Sequence, residues 1–233
     1  MLDFKSFASS SKGNLYTLTD GETKLMIECG LPWAEIQRKL DFKTSEIDAC
    51  LLSHQHADHS RAAEKVLLNG IDIYTSEDTI SALNLKHHRT HAIHNQELFQ
   101  IGSFKVMPFI VPHDVTTMAY VIINKLGERC LFATDCEYIP FRVEGLHTVA
   151  ISCNYSQEII RRNTHDSTIA NEQFRRVVGS HMSLESVKEF LKINQSPALK
   201  AVYLLHLSNY NSDANLFRET IQSLTGRDEV YTT

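Results

Sequence analysis

Short runs rich in apolar, aromatic and β-branched residues over 4–8, 15–19 and 23–28, bounded by turn-forming polar residues, predict three strands. Ser9-Ser10-Ser11-Lys12-Gly13-Asn14 separates the first two, and Asp20-Gly21, a two-residue hairpin signal, separates the second and third. Residues 33–40 carry an apolar face at helical spacing. Residues 47–52 are mostly apolar and predict a buried strand, and 61–68 predict a helix that Gly70 can end. A strand over 71–74, a short helix over 78–83 and an alternating strand over 103–111 follow. The pattern then predicts a hairpin of 117–123 and 129–133, buried strands over 149–153 and 201–205, a helix over 215–224 and a last strand over 229–231. This is a mixed α and β chain without internal repeat, low-complexity tract or linker, expected to form a single domain over residues 1–233.

Between the strand at 47–52 and the helix at 61–68 lies Ser53-His54-Gln55-His56-Ala57-Asp58-His59-Ser60. Neutral imidazole and carboxylate oxygen are common ligands of zinc and similar divalent ions. From an extended loop His54 and His56 can point the same way and share one ion, while Asp58 and His59, on the turn into the helix, would face a neighbouring one. Three more apolar strands end in a residue of the same chemistry: His113 in Pro112-His113-Asp114, Asp135 after Phe132-Ala133-Thr134, and His206 after 201–205. Lys86-His87-His88-Arg89-Thr90-His91-Ala92-Ile93-His94 holds four further histidines but no interleaved carboxylate. We read it as a solvated, partly basic connection near the substrate rather than a second metal site.

The His-x-His-x-Asp-His run on a strand-to-helix loop resembles the signature of the metallo-β-lactamase-fold hydrolases, and the resemblance extends over nearly the whole chain. The Ser/Gly-rich opening Ala8-Ser9-Ser10-Ser11-Lys12-Gly13-Asn14-Leu15 and the late His206-Leu207-Ser208-Asn209 are similar to those of one bacterial subgroup, the YycJ/WalJ-type exonuclease-like proteins. The resemblance implies an α+β fold, the four-layer αββα sandwich. It also implies that His54, His56 and His113 hold one ion, that Asp58, His59 and His206 hold a second, and that Asp135 bridges them. Two divalent ions, Zn2+ before Mn2+ or Fe2+, would generate a hydroxide near neutral pH and neutralise a phosphoryl oxygen.

His181-Met182-Ser183 resembles the extra histidine element of the nuclease branches, where the imidazole reaches the scissile phosphate, so Asp58 and His181 are the expected catalytic residues. Ser10, Ser11, Asn14, Asn154, Arg176 and Ser183 are the expected phosphate contacts; a plain hairpin turn accounts equally for the first three, and a helix cap for Ser183. Arg161, Arg162 and Arg175 join Arg176 either as a phosphate track or as ordinary helical surface charge. Glu28 stands where the family often carries Asp in Ile-Asp-x-Gly, and is expected beneath the metal loop, orienting it.

Composition narrows the function classes only modestly. The chain has 233 residues, 42% hydrophobic and 22% charged, enough for one large core. A net charge of −5 gives no global attraction to nucleic acid, so a DNA substrate, expected before RNA, needs the ions or a local basic patch. No signal pattern or membrane-length apolar run is present, and five scattered cysteines predict reduced thiols in a cytoplasmic protein. The resemblance therefore implies a metal-dependent phosphodiester hydrolase, foremost a DNA exonuclease. The alternatives are a small-molecule phosphodiesterase, lactonase or thioesterase of the same fold, and a binding protein on an inactive metal fold, which the filled ligand positions disfavour. Residues 136–205 leave no room for an inserted nucleic-acid clamp domain, and no Gly/Pro-rich exosite arm of the transfer-RNA-processing type is present.

Overall fold

The short runs at the start of the chain become β1 (Asp3–Ala8), β2 (Leu15–Thr19) and β3 (Lys24–Ile27), joined as an antiparallel meander. The computed structural model describes residues 1–163 and 178–233, in two units: Met1–Ile110 with Val115–Glu128, and Val111–Asp114 with Arg129–Thr233. In the first unit the meander continues into three parallel strands, β4 (Ala49–Leu51), β5 (Asp72–Thr75) and β6 (Thr90–Ala92), in the order β1-β2-β3-β4-β5-β6. Parallel neighbours need crossovers. Helix α1 (Trp33–Lys39) supplies the first, α2 (Ala57–Ser60) and α3 (Ala63–Leu68) the second, and α4 (Glu77–Ala82) the third. Leu15, Met26, Ile36, Cys50, Leu52, Val66 and Ile73 meet in one buried cluster. The apolar character of β4 thus places the loop at 52–59 on a rigid strand end. This unit also holds the hairpin of β7 (Phe99–Ile101) and β8 (Phe104–Val111), with β9 (Thr117–Ile123) next to β8.

The second unit is built on four parallel strands, β10 (Arg129–Ala133), β11 (Leu146–Ser152), β12 (Ala201–Leu205) and β13 (Val230–Thr232), in the order β13-β12-β11-β10. The mostly apolar sequences of β10, β11 and β12 fit strands buried on both faces. The helices of this unit include α5 (Gln157–Asn163), α6 (Leu184–Ile193) and α7 (Ala214–Thr225). α6 buries Leu184, Val187, Phe190 and Leu191 on one stripe, and α7 buries Phe217 and Ile221. Asp213 caps α7 by accepting the amides of Asn215 and Leu216, and Gly226 closes it in the left-handed region at φ +66°.

Two strands depart from the sequence expectation. The run at 86–94, read as a connection, contains β6, and β7 has no strong pattern of its own. Both are short, and β6 ends the six-stranded sheet. An edge strand buries little, so alternation is lost. β6 is held instead by ring contact: His91 stacks on Tyr74 at 4.6 Å between centroids, and Tyr74 on Phe99 at 5.3 Å. His91 Nε2 also lies 3.3 Å from Asp72 Oδ1. The helix expected over 61–68 is α3, and a separate one-turn helix before it, α2, carries Asp58 and His59.

Candidate metal centre

In the first unit the chain leaves β4 at Leu51 and turns into α2 within a few residues. The Ser53 hydroxyl lies 2.8 Å from His54 Nδ1, which fixes the ring and turns Nε2 outward. His54 Nε2 and His56 Nδ1 converge to 3.0 Å, a spacing at which one ion can take both lone pairs. The one-turn helix α2 then places His59 against His54, with ring centroids 4.2 Å apart, and brings His59 Nε2 to 3.5 Å from Asp58 Oδ2.

Behind this loop sits Glu28, fully buried at the end of β3, with Oε2 3.4 Å from His59 Nδ1 and 3.5 Å from the Ser53 amide. Burial pushes the Glu28 carboxyl above its ordinary range, and His59 and the Ser53 bonds pull the other way. A histidine whose far nitrogen faces a buried carboxylate while its near nitrogen faces a second donor is set up as a metal ligand. The donor set therefore fits a divalent ion.

The backbone approach is equally tight. The Cys29 amide donates to the His59 carbonyl at 2.8 Å, and the Asn14 amide donates to the Asp58 carbonyl at 2.8 Å. Gly30 lies directly against Asp58, and a Cβ added there would sit 1.6 Å from the Asp58 carbonyl oxygen.

The second unit brings its own group together at three strand ends. Asp135 follows β10, and its Oδ1 lies 3.6 Å from His181 Nδ1 and 3.8 Å from His206 Nε2. His181 stacks on His206 at 5.1 Å and lies 6.3 Å from His113. His113 follows β8, its Nε2 2.9 Å from Asp114 Oδ1. The segment of His181 is pinned to the end of β11, because the Asn154 amide donates to Met182 at 2.9 Å and the Leu184 amide to Tyr155 at 2.8 Å. That pairing carries His181 to Asp135. The side chain of His181 is 17% exposed, so the imidazole can reach a bound group.

Two expected phosphate contacts have other roles. Asn14 is fully buried: its Oδ1 accepts from Tyr16 and the Ser10 amide, and its Nδ2 donates to the Asp58 carbonyl and lies 3.1 Å from His59 Nε2. Asn154 is 6% exposed and donates to the His206 carbonyl at 2.7 Å, with Nδ2 3.2 Å from His206 Nδ1. Both are thus bonded beside a donor residue. Ser183 caps α6 by accepting the Ser186 amide, as its second reading held. Ser10 is half-buried and Ser11 exposed. Arg162 pairs with Glu158 on the surface of α5, and Arg175 and Arg176 lie outside the described residues.

What sequence reasoning missed is the bracing. Glu28 was visible through its position in Ile27-Glu28-Cys29-Gly30, but Asn14 and Asn154 act on residues 45 and 52 positions away. Among the described residues seven non-glycines have positive φ, and three of them are Glu28 (+64°), Asp135 (+33°) and His206 (+56°). Such conformations cost free energy and gather where function fixes a side chain. The five cysteines are all buried and unlinked, and burial lifts the Cys130 thiol to about 12 and those of Cys136 and Cys153 still further, so these three do no thiolate chemistry.

A family model described as the β-lactamase superfamily domain matches residues 23–206. The chain belongs to this family. Exodeoxyribonuclease WalJ of Streptococcus pneumoniae serotype 2 (strain D39 / NCTC 7466) is 26% identical to this superfamily member over 235 residues, covering 94% of this chain and 86% of that protein. Exodeoxyribonuclease YycJ of Bacillus anthracis is 23% identical over 245 residues, covering 96% and 89%. The crystal structure of the metallo-β-lactamase fold protein YhfI from Bacillus subtilis superposes with a TM-score of 0.75 at 17% identity, covering 100% of this chain and 97% of that one. The superfamily member thus has the α+β, αββα fold expected of it, and is a metal-binding hydrolase.

Proposed function

We propose that this chain is a dinuclear metal-dependent phosphodiester hydrolase that degrades DNA from its ends. On this reading His54, His56 and His113 would hold one ion and Asp58, His59 and His206 a second, with Asp135 shared between them. Imidazole predominance favours Zn2+, and the carboxylates leave Mn2+ or Fe2+ as competitors. When bound, the ions supply an activated water near neutral pH and neutralise charge growing on the phosphoryl oxygens. Asp58, whose side chain is 23% exposed, accepts a proton from the attacking water. His181 donates a proton to the leaving oxygen, and Asp135 beside it supports the imidazolium that precedes transfer.

The observation that carries this reading is the His181 imidazole, with Nδ1 3.6 Å from Asp135 Oδ1 and outside both candidate donor groups, where a proton donor would stand. An alkoxide leaving group needs such an acid. The near full-length likeness to two proteins named exodeoxyribonucleases supports DNA as the polymer. A DNA substrate accords with a cytoplasmic enzyme. Protein purified without added metal should contain close to two transition-metal ions per chain by elemental analysis. It should shorten linear DNA while leaving closed circular DNA intact, with RNA turned over more slowly. Hydrolysis of a lactone or thioester with DNA untouched would overturn the reading.

Glu28→Gln tests the brace beneath the metal loop. It replaces the carboxylate facing His59 Nδ1 by a weaker acceptor, and metal affinity should fall about 10–100-fold. Competition with a chromogenic chelator measures this, and unchanged affinity would remove Glu28 from the site.

A further inference from the structure

Tyr210 is 83% exposed, four residues after His206. Single exposed aromatic rings are ordinary on protein surfaces. Tyr210 differs in how its backbone is held. Its carbonyl accepts from Asn163 Nδ2 at 2.6 Å, and its amide donates to the Ser208 hydroxyl oxygen at 3.3 Å. Asn211 next to it donates to the same oxygen at 3.2 Å, and its carbonyl accepts from the Ser156 amide at 3.0 Å. Ser208 in turn donates its amide to the Asn154 carbonyl at 2.9 Å, and Asn154 is the brace of His206. The loop is therefore tied to the residues that fix a metal donor, and it presents a flat ring to solvent.

Tyr138, 49% exposed, stands in the corresponding place three residues after Asp135. Four residues of chain span at most about 14 Å, which is about four nucleotide steps of a stacked strand. Both rings thus lie within a few nucleotides of the donors that precede them.

We propose that Tyr210, assisted by Tyr138, stacks on unpaired bases beside the scissile phosphate, so that the preferred substrate is a single-stranded or frayed DNA end. This rests on the exonuclease reading above. A π face accepts every base, so the contact orders the strand without reading its sequence. Because the loop is already hydrogen-bonded, little ordering entropy is lost when a base docks. A paired base in an intact duplex keeps its faces against its neighbours and gains nothing from the ring.

The test compares a single-stranded oligonucleotide with the same strand carrying abasic sites at its four terminal positions. Tyr210→Ala should raise KM for the normal strand about 5–150-fold and leave KM for the abasic strand at the wild-type value. Tyr210→Phe, which keeps the ring, should restore the wild-type KM on the normal strand. Equal KM changes on both strands, or none on either, would overturn the stacking role while leaving the exonuclease reading in place. A wild-type enzyme that hydrolyses a chromogenic phosphodiester but leaves both strands whole would overturn the exonuclease reading, and this inference with it.

Discussion

Gly30→Ala should yield a protein that melts far lower and has lost bound metal, although the substitution adds a single methyl group. The added Cβ would meet the Asp58 carbonyl oxygen at 1.6 Å, its carbonyl carbon at 2.1 Å and the His59 amide at 2.8 Å. These are backbone atoms, so no rotamer change relieves the overlap. Either β3 and its following turn move, or the loop bearing Asp58 and His59 moves. Moving the turn strains the amide bonds that Cys29 and Asn14 make to that loop, and moving the loop pulls its donors away. Overpacking of this kind costs up to about 3 kcal/mol and sometimes more, so the melting temperature should drop by roughly 6–12 °C. Gly70→Ala is the control: Gly70 has φ +84° and open space around its Cβ position, so it should lose about 1 kcal/mol and keep its metal. Thermal melts with elemental analysis decide between them. A Gly30→Ala protein as stable and as metal-loaded as wild type would refute the close approach.

His181→Ala should show the largest selective loss of rate. The imidazole stands outside the donor groups, so ion content and melting profile should stay unchanged. Turnover of a substrate with an alkoxide leaving group should fall ~10²–10⁴-fold, the usual worth of a general acid. With a nitrophenolate leaving group, which departs without a proton, the loss should be much smaller. Asp135→Ala, by contrast, should shed metal and both activities together. Release of an ion by His181→Ala would make His181 a ligand, and no effect on either substrate would favour a small-ester hydrolase.

The sequence made the strand ends legible because each is announced by an apolar run: His113, Asp135 and His206 come within two residues of the ends of β8, β10 and β12. His54, His56, Asp58 and His59 were legible because a local turn alone brings them together. Asn14, Asn154 and Gly30 were not, since their partners are 28 or more positions away in sequence and only the packed sheets place them. The bonds of the two asparagines follow from their burial, since a buried amide is governed by the groups it must satisfy. Nor does a period-two rule find β6, whose rings rather than whose alternation hold it at the sheet edge.

The left-handed backbone at Asp135 and His206 also bears on how such a site survives over generations. At these two positions a glycine would relieve backbone strain, so mutation toward it is downhill in folding energy and uphill only in activity. Stability and function pull against each other at the same two residues. A lineage freed from the need for turnover would therefore lose the Asp and the His early, while the sheets beneath them, with nothing to gain from change, would persist as a recognisable fold around an extinct site.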